Sequence, residues 1–165
     1  MTSFSLGGAV FDYTSRMFHV GHLVPDIEAA MAELGPALGL SWTPVVARED
    51  QRIWTPEHGQ RQVPLKFCYS TEGPQHLELL EGIEGTPWWS GEVANLHHAG
   101  VYADVAALTE DLVARGWTLV CSQLSPDEGY GSFSYVRSPT GFLLEPVAEA
   151  NEERMNRWFA TGSLS

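Results

Sequence analysis

The apolar positions of this chain fall into two alternating periods, and their order occurs twice. Met17–Val24 is an apolar, strand-like run that stops at Pro25-Asp26, where Pro disfavours helix in the residue before it and Asp can cap a helix after it. Ile27, Ala30, Met31 and Leu34 then mark one face of a helix, with Gly35-Pro36 as its stop. Residues 41–48 and 61–70 read as strands. In the second, Val63, Leu65, Phe67 and Tyr69 alternate with Gln62, Lys66 and Cys68, the period of a half-buried sheet. Glu57–Gln60 and Thr71–Gln75 are turns, and the latter feeds a strand over His76–Leu80.

Glu81–Asn95 carries Gly82, Gly85, Pro87 and Gly91 and reads as the connection between halves. Its Trp88 and Trp89 predict that it folds back onto the body or onto a pocket rim. The same order then returns: a strand over His97–Ala103, an N-cap at Asp104, and an inward helix face of Val105, Leu108 and Leu112 ending at Gly116. Strands follow over Trp117–Gln123 and Ser132–Arg137, around a turn-rich Ser125–Gly131. A tight turn at Ser138–Gly141 delivers the last strand, Phe142–Val147. Glu149–Phe159 reads as a helix whose Met155, Trp158 and Phe159 dock against the domain or, alternatively, meet a second copy. The expected organisation is an arm over 1–16, a βαβββ module over 17–85, a linker over 86–95, a second βαβββ module over 96–147, and a C-terminal helix and tail over 148–165.

The duplication gives particular residues chemical meaning. His19 opens His19-Val20-Gly21 and His98 opens His98-Ala99-Gly100, while Glu78 in Leu77-Glu78-Leu79 matches Glu145 in Leu144-Glu145-Pro146. A carboxylate inside an apolar strand is costly to bury unless paired, and a divalent cation would neutralise both. Two imidazoles with two carboxylates suit zinc, nickel, cobalt, manganese or iron, and make a poor calcium cage. His97 and His98 face opposite sides by strand alternation, and the repeat selects His98 as the ligand. His22 falls on the face opposite His19 and reads as structural, whereas His76 shares the face of Glu78, close to the ligands.

Composition narrows the partners. A formal charge of -12 repels nucleic acid and anionic membrane surfaces, and 44% hydrophobic residues in 165 suffice for one substantial core. Nowhere is there a run of roughly 18 apolar residues that would span a membrane. The N-terminal residues lack the layout of a secretory signal, and Cys68 and Cys121 are too few for a disulfide scaffold, so a reducing cytoplasm is expected. Arg48, Arg52, Arg61 and Lys66 could orient an anionic acyl or carboxylate group. Trp54, Phe67, Tyr69, Trp88, Trp89, Phe133 and Tyr135 supply enough aromatic surface for a pocket wall.

In this order and spacing, Phe18–Asp26, Leu77–Leu80, His97–Val101 and Ser138–Glu145 resemble the vicinal oxygen chelate superfamily, which includes glyoxalase I, methylmalonyl-CoA epimerase, extradiol dioxygenases and bleomycin-resistance proteins. The resemblance spans 17–147 and is nearest the glyoxalase–epimerase branch. It implies an α+β fold in which two tandem βαβββ modules form a cupped mixed β-sheet around a divalent metal held by His19, Glu78, His98 and Glu145. It further implies an isomerase, epimerase or lyase acting on a small oxygen-chelating carbonyl or acyl substrate through a metal-stabilised enolate. Glu145 would move the proton, Glu57 of Pro56-Glu57-His58-Gly59 would be a second acid/base, and a homodimer is expected. The alternatives are an iron extradiol-type dioxygenase and a small-molecule binding or resistance protein without catalysis.

Overall fold

Strand, helix and three strands follow one another twice, because each apolar run that pairs into a sheet is interrupted once by an Asp-capped helix. The structure, a computed structural model, describes residues 10–164. After a helical turn α1 (Tyr13–Arg16), the first unit comprises β1 (Met17–Leu23), α2 (Ile27–Leu38), β2 (Val46–Thr55), β3 (Gly59–Tyr69) and β4 (His76–Gly82). The second comprises β5 (Asn95–Ala103), α3 (Val105–Ala114), β6 (Thr118–Ser122), β7 (Ser134–Arg137) and β8 (Leu143–Ala148), and α4 (Glu152–Thr161) closes the chain. Asp26 and Asp104 cap their helices by accepting from the backbone N–H of Ala29 and Ala107.

The strands close into a mixed barrel in the order β1-β4-β3-β2-β6-β7-β8-β5. Within each unit the first strand pairs in parallel with the last, β1 with β4 and β5 with β8. The units are joined by an antiparallel seam between β1 and β5, and across the barrel β2 meets β6 at the single pair Trp54–Ser122. Side chains on the inner faces of β1, β4, β5 and β8 therefore converge near the seam.

Two local expectations need correction, and a third segment is placed. The strand expected over 41–48 begins only at Val46 and runs to Thr55. The preceding residues are held instead by an isolated Trp42–Ser70 bridge and by Thr43, whose N–H donates to the Tyr69 carbonyl and whose hydroxyl accepts from the Tyr69 N–H. The polar stretch Arg48–Gln51 hides β2 from a period-two reading, because its ladder with β3 is made by the backbone. The helix expected to stop at Gly35-Pro36 continues to Leu38. Pro36 forgoes one bond so late in the helix that termination falls to left-handed Gly39, at φ 67°, whose N–H reaches the Gly35 carbonyl. Finally, the far end of the expected arm is fastened: Arg16 donates to Glu152 at 2.8 Å and to the Tyr102 carbonyl at 3.2 Å, while residues 1–9 of that arm lie outside the described residues.

The connection folds back as its tryptophans suggest. Trp88 is 1% exposed and its indole donates to the Tyr135 hydroxyl, whereas Trp89 stays half exposed. Helix α4 turns its Met155, Trp158 and Phe159 inward onto Phe18, Tyr69 and Tyr102. Phe159 stacks on the His76 ring at 3.8 Å, and His76 Nδ1 bonds the Ser70 carbonyl at 2.7 Å, so His76 helps to seat this helix. Cys68 and Cys121 are buried free thiols. Among the described residues no helix is long and apolar enough to cross a membrane.

Candidate metal centre

His19 on β1, Glu78 on β4, His98 on β5 and Glu145 on β8 are each buried, and one donor atom from each lies within 4.8 Å of the others. The two imidazole Nε2 atoms are 2.9 Å apart. His19 Nε2 lies 2.9 Å from Glu145 Oε2 and 3.2 Å from Glu78 Oε2; His98 Nε2 lies 3.0 Å and 3.2 Å from the same two oxygens. A ring nitrogen carries one hydrogen or one lone pair, so neither can bond three neighbours at once. At metal–ligand distances of about 2.0–2.2 Å, donors at right angles around one ion lie about 3 Å apart, which is the spacing found. Glu78 Oε2 is also left buried without a hydrogen bond of good geometry. The donor set fits a divalent transition metal.

The glycine of each His-x-Gly motif makes this convergence sterically possible. Gly21 sits in register with His98 on one side and Glu78 on the other, and Gly100 sits between His19 and Glu145. A Cβ on Gly21 would fall within the His98 ring, and one on Gly100 within the His19 ring. Each module thus supplies a histidine and the vacancy that receives the other module's histidine.

Without a metal the cluster holds protons. Burial would depress His19, but the charges of Glu78 and Glu145 outweigh it and raise its pKa to about 9. His98 is likewise raised, with Glu145 overcoming its burial. Burial opposes ionisation of Glu145, yet His98 and His19 hold it well below the usual carboxylate range; Glu78 is lowered in the same sense by His19. Divalent metal and protons therefore compete for one place.

Glu78 and Glu145 open into a cavity of about 130 Å³. Phe67, Tyr69, Trp88, Phe133 and Tyr135 form its aromatic walls, while Trp54 and Trp89 do not reach it. Burial, followed by the charges of Glu78 and Glu145, raises the Tyr69 and Tyr135 hydroxyls well above the ordinary phenol range and keeps them neutral proton donors. Of the four basic residues singled out in the sequence, only Arg48 lines the cavity; Arg61 donates to the Gly85 carbonyl and Lys66 pairs with Glu81. Asn151, Arg154 and Met155, from the α4 region, complete the lining. Their contribution has no signal in the repeat because they lie outside it.

Glu57 does not join the cluster. It sits in the β2–β3 hairpin turn with its side chain 86% exposed, against a separate surface groove with His58 and Thr86. The short hairpin turn carries it away from the cavity in which the four candidate ligands converge. His22 is half-buried outside the cluster.

His97 gains a role that alternation alone did not suggest. Its Nδ1 lies 2.9 Å from His98 Nδ1. Burial and the adjacent His98 charge lower its pKa to about 4, so it is neutral and able to accept. A histidine that ligates through Nε2 carries its proton on Nδ1, and His97 is placed to accept that proton's hydrogen bond. The first module has Phe18 at the corresponding position and leaves His19 Nδ1 without a partner. His97→Phe is expected to weaken metal binding by roughly 10–100-fold in a competitive chelator titration, in line with other outer partners of ligating histidines. Unchanged affinity would mean that the contact is incidental.

No curated protein matches the chain by sequence. Solved structures share its fold. A variant of Streptomyces coelicolor methylmalonyl-CoA epimerase in complex with 2-nitronate-propionyl-CoA superimposes with a TM-score of 0.55 at 17% identity, covering 82% of this chain and 97% of the epimerase. Methylmalonyl-CoA epimerase from Mycobacterium tuberculosis matches at 0.55 and 15%, covering 90% and 97%. A hypothetical protein from Bacillus halodurans matches at 0.56 and 18%, covering 81% and 93%. At these identities the correspondence is one of fold. The model of the glyoxalase/bleomycin resistance protein/dioxygenase superfamily, however, matches residues 18–135, from the strand of the first histidine to the cavity tyrosine of β7, and the chain belongs to that superfamily.

Proposed function

We propose that the protein is a divalent-metal-dependent isomerase, epimerase or lyase acting on a small substrate with adjacent oxygens. His19, Glu78, His98 and Glu145 would hold the ion. The observation that carries this reading is the burial of two carboxylates and two imidazoles, all facing one point at the floor of an aromatic cavity. A bound ion would supply Lewis-acid polarisation of a substrate carbonyl, acidifying the neighbouring C–H. Glu145 reaches the cavity from β8 and takes the proton role, as the carboxylate nearer to both imidazoles, at 2.9 and 3.0 Å against 3.2 Å for Glu78. Tyr69 and Tyr135, kept neutral by burial, offer hydroxyls to the charge that develops on substrate oxygen. The aromatic walls exclude water from the transfer. With Glu57 outside, the acid/base groups available to substrate are Glu145, Glu78 and the two phenols.

An extradiol dioxygenase needs two histidines and one carboxylate, so a fourth buried donor favours the proton-transfer reading. The acyl-CoA ligand of the Streptomyces structure makes an acyl or carboxylic acid a sensible starting class. The test combines metal analysis of purified protein, before and after chelator stripping and reloading, with NMR-detected exchange of α-hydrogens for deuterium in small 2-oxo and 2-hydroxy acids. One ion per chain and exchange lost in Glu145→Gln are expected. Failure to take up any divalent ion after reloading would remove the proposal, and iron-bound protein consuming oxygen with a catechol would replace it.

A further inference from the structure

Resting on that metal-site reading, we infer that the substrate is a small free acid bearing a second carboxylate, held at the cavity mouth by Arg48 and Arg154 while its chelating end faces the histidines and glutamates. The first observation is a break in strand alternation. Arg48 and Gln51 are three positions apart on β2 and would face opposite sides of a regular strand, yet both line the cavity. The β2–β3 register shifts between these two residues. A bulge re-aims a side chain at a cost in ladder pairing, and here it turns a cation towards the cavity.

That cation is held in place. Arg48 Nη1 donates to Gln51 Oε1 at 3.1 Å, Gln51 is 5% exposed, and the guanidinium lies 5.5 Å over the Phe67 ring of the cavity wall. Arg154, from α4, lines the same space. The chain has nine Lys and Arg against 21 Asp and Glu, and Arg16, Lys66, Arg115 and Arg157 each pair with a carboxylate. Among the described residues neither Arg48 nor Arg154 has a carboxylate within 4 Å, not even Glu78 or Glu145 of their own cavity. Arg52, Arg61 and Arg137 also lack such a partner, but among the described residues only Arg48 and Arg154 line this cavity, and two cations sharing it in so acidic a protein describe a receptor for an anion brought from outside.

Both a carboxylate and the phosphates of a larger carrier would suit guanidinium. Size favours the carboxylate, because a small acid is taken up whole whereas a larger carrier would have to extend out of the cavity. The cavity is about 130 Å³, while an apolar cavity of about 150 Å³ holds one benzene and drug-sized ligands need about 300 Å³ or more. Met155 of α4 lines the cavity, and Trp158 and Phe159 pack with it onto Tyr69 of the cavity wall.

Isothermal titration of zinc-loaded protein with 2-oxoglutarate, 2-oxobutanoate and coenzyme A tests the inference. Wild type is expected to bind the dicarboxylate at least roughly tenfold more tightly than the monocarboxylate, as charge-assisted bonds to a second carboxylate should provide. In Arg154→Gln and Arg48→Gln that ratio should fall towards one, with zinc stoichiometry unchanged. Equal affinities in wild type, a ratio untouched by both substitutions, or coenzyme A displacing the dicarboxylate would each overturn the inference while leaving the metal centre standing. If the protein takes up none of zinc, nickel, cobalt, manganese or iron, the metal reading fails separately. The same titrations on metal-free protein then decide whether the arginines select a dicarboxylate.

Discussion

Gly100→Ala is expected to abolish useful metal binding while the barrel still forms, and Gly21→Ala to do the same from the other module. Both glycines lie in ordinary strand, so alanine carries no backbone penalty, and the whole effect is steric. The added methyl would occupy the space of the His19 ring in one case and of the His98 ring in the other. Both rings are buried, with Tyr69 set edge-on to His19 and Tyr135 to His98. Overpacking of this kind typically costs about 1–3 kcal/mol. The easiest relief is to swing the ring away, which removes one donor of four from the ion. Metal affinity should fall by roughly a thousandfold, the loss of about 4 kcal/mol expected when steric cost and a lost ligand combine. Chelator competition measures it, and circular dichroism of the metal-free variant checks the fold. Val20→Ala, on the opposite face of β1, is the control. Wild-type affinity in both glycine variants would show that the histidines do not ligate as the metal-site reading requires.

The second large effect is a pH dependence of opposite sign in metal-free and metal-loaded protein. Because His19 is raised from 6.5 to about 9 in the folded chain, its contribution is complete below pH 6.5 and is lost as pH rises through 9. Glu145 is lowered from 4.5, so its contribution is complete above pH 4.5 and is lost as pH falls through its folded value. Metal-free protein should therefore be most stable between pH 4.5 and 6.5. It should lose up to roughly 3 kcal/mol by pH 9, at 1.36 kcal/mol for each pH unit separating the two His19 values. Loading reverses the alkaline trend, because the ion replaces protons on the imidazoles and binds more tightly as they leave. At a hundred times its dissociation constant the metal adds about 2.7 kcal/mol. Urea unfolding across this pH range, with and without zinc, checks both limbs. A flat metal-free curve from pH 6.5 to 9 would contradict the charge-paired cluster.

Much of this protein is legible in its amino-acid sequence, because the two halves of a duplicated chain can be compared with each other. Asp26 and Asp104 announce both helices, and His19 with His98, and Glu78 with Glu145, stand out as matched polar residues in apolar strands. What failed to be legible lies where the repeat or strict alternation breaks. The β2 bulge at Arg48–Gln51 turns two residues inward that pattern reading separates. Arg154 lies on a helix that has no counterpart in the repeat. Glu57 belongs to a motif whose side chain the hairpin turn carries to solvent. His97, assigned by alternation to the face away from the ligands, nevertheless bonds His98, at the point where the β1–β5 register shifts and passes over His97.

The sequence by itself determined the two βαβββ units, the four candidate donor residues and the His-x-Gly spacing, since these follow from local periodicity and internal comparison. Only the tertiary structure decided that each glycine makes room for the other unit's histidine, that α4 walls the cavity, and that Arg48 and Arg154 are the cations lining it. Each of these relations joins residues that are distant along the chain and become neighbours when β1 meets β5 and β2 meets β6. Closure of the barrel sets them, and no local propensity encodes closure.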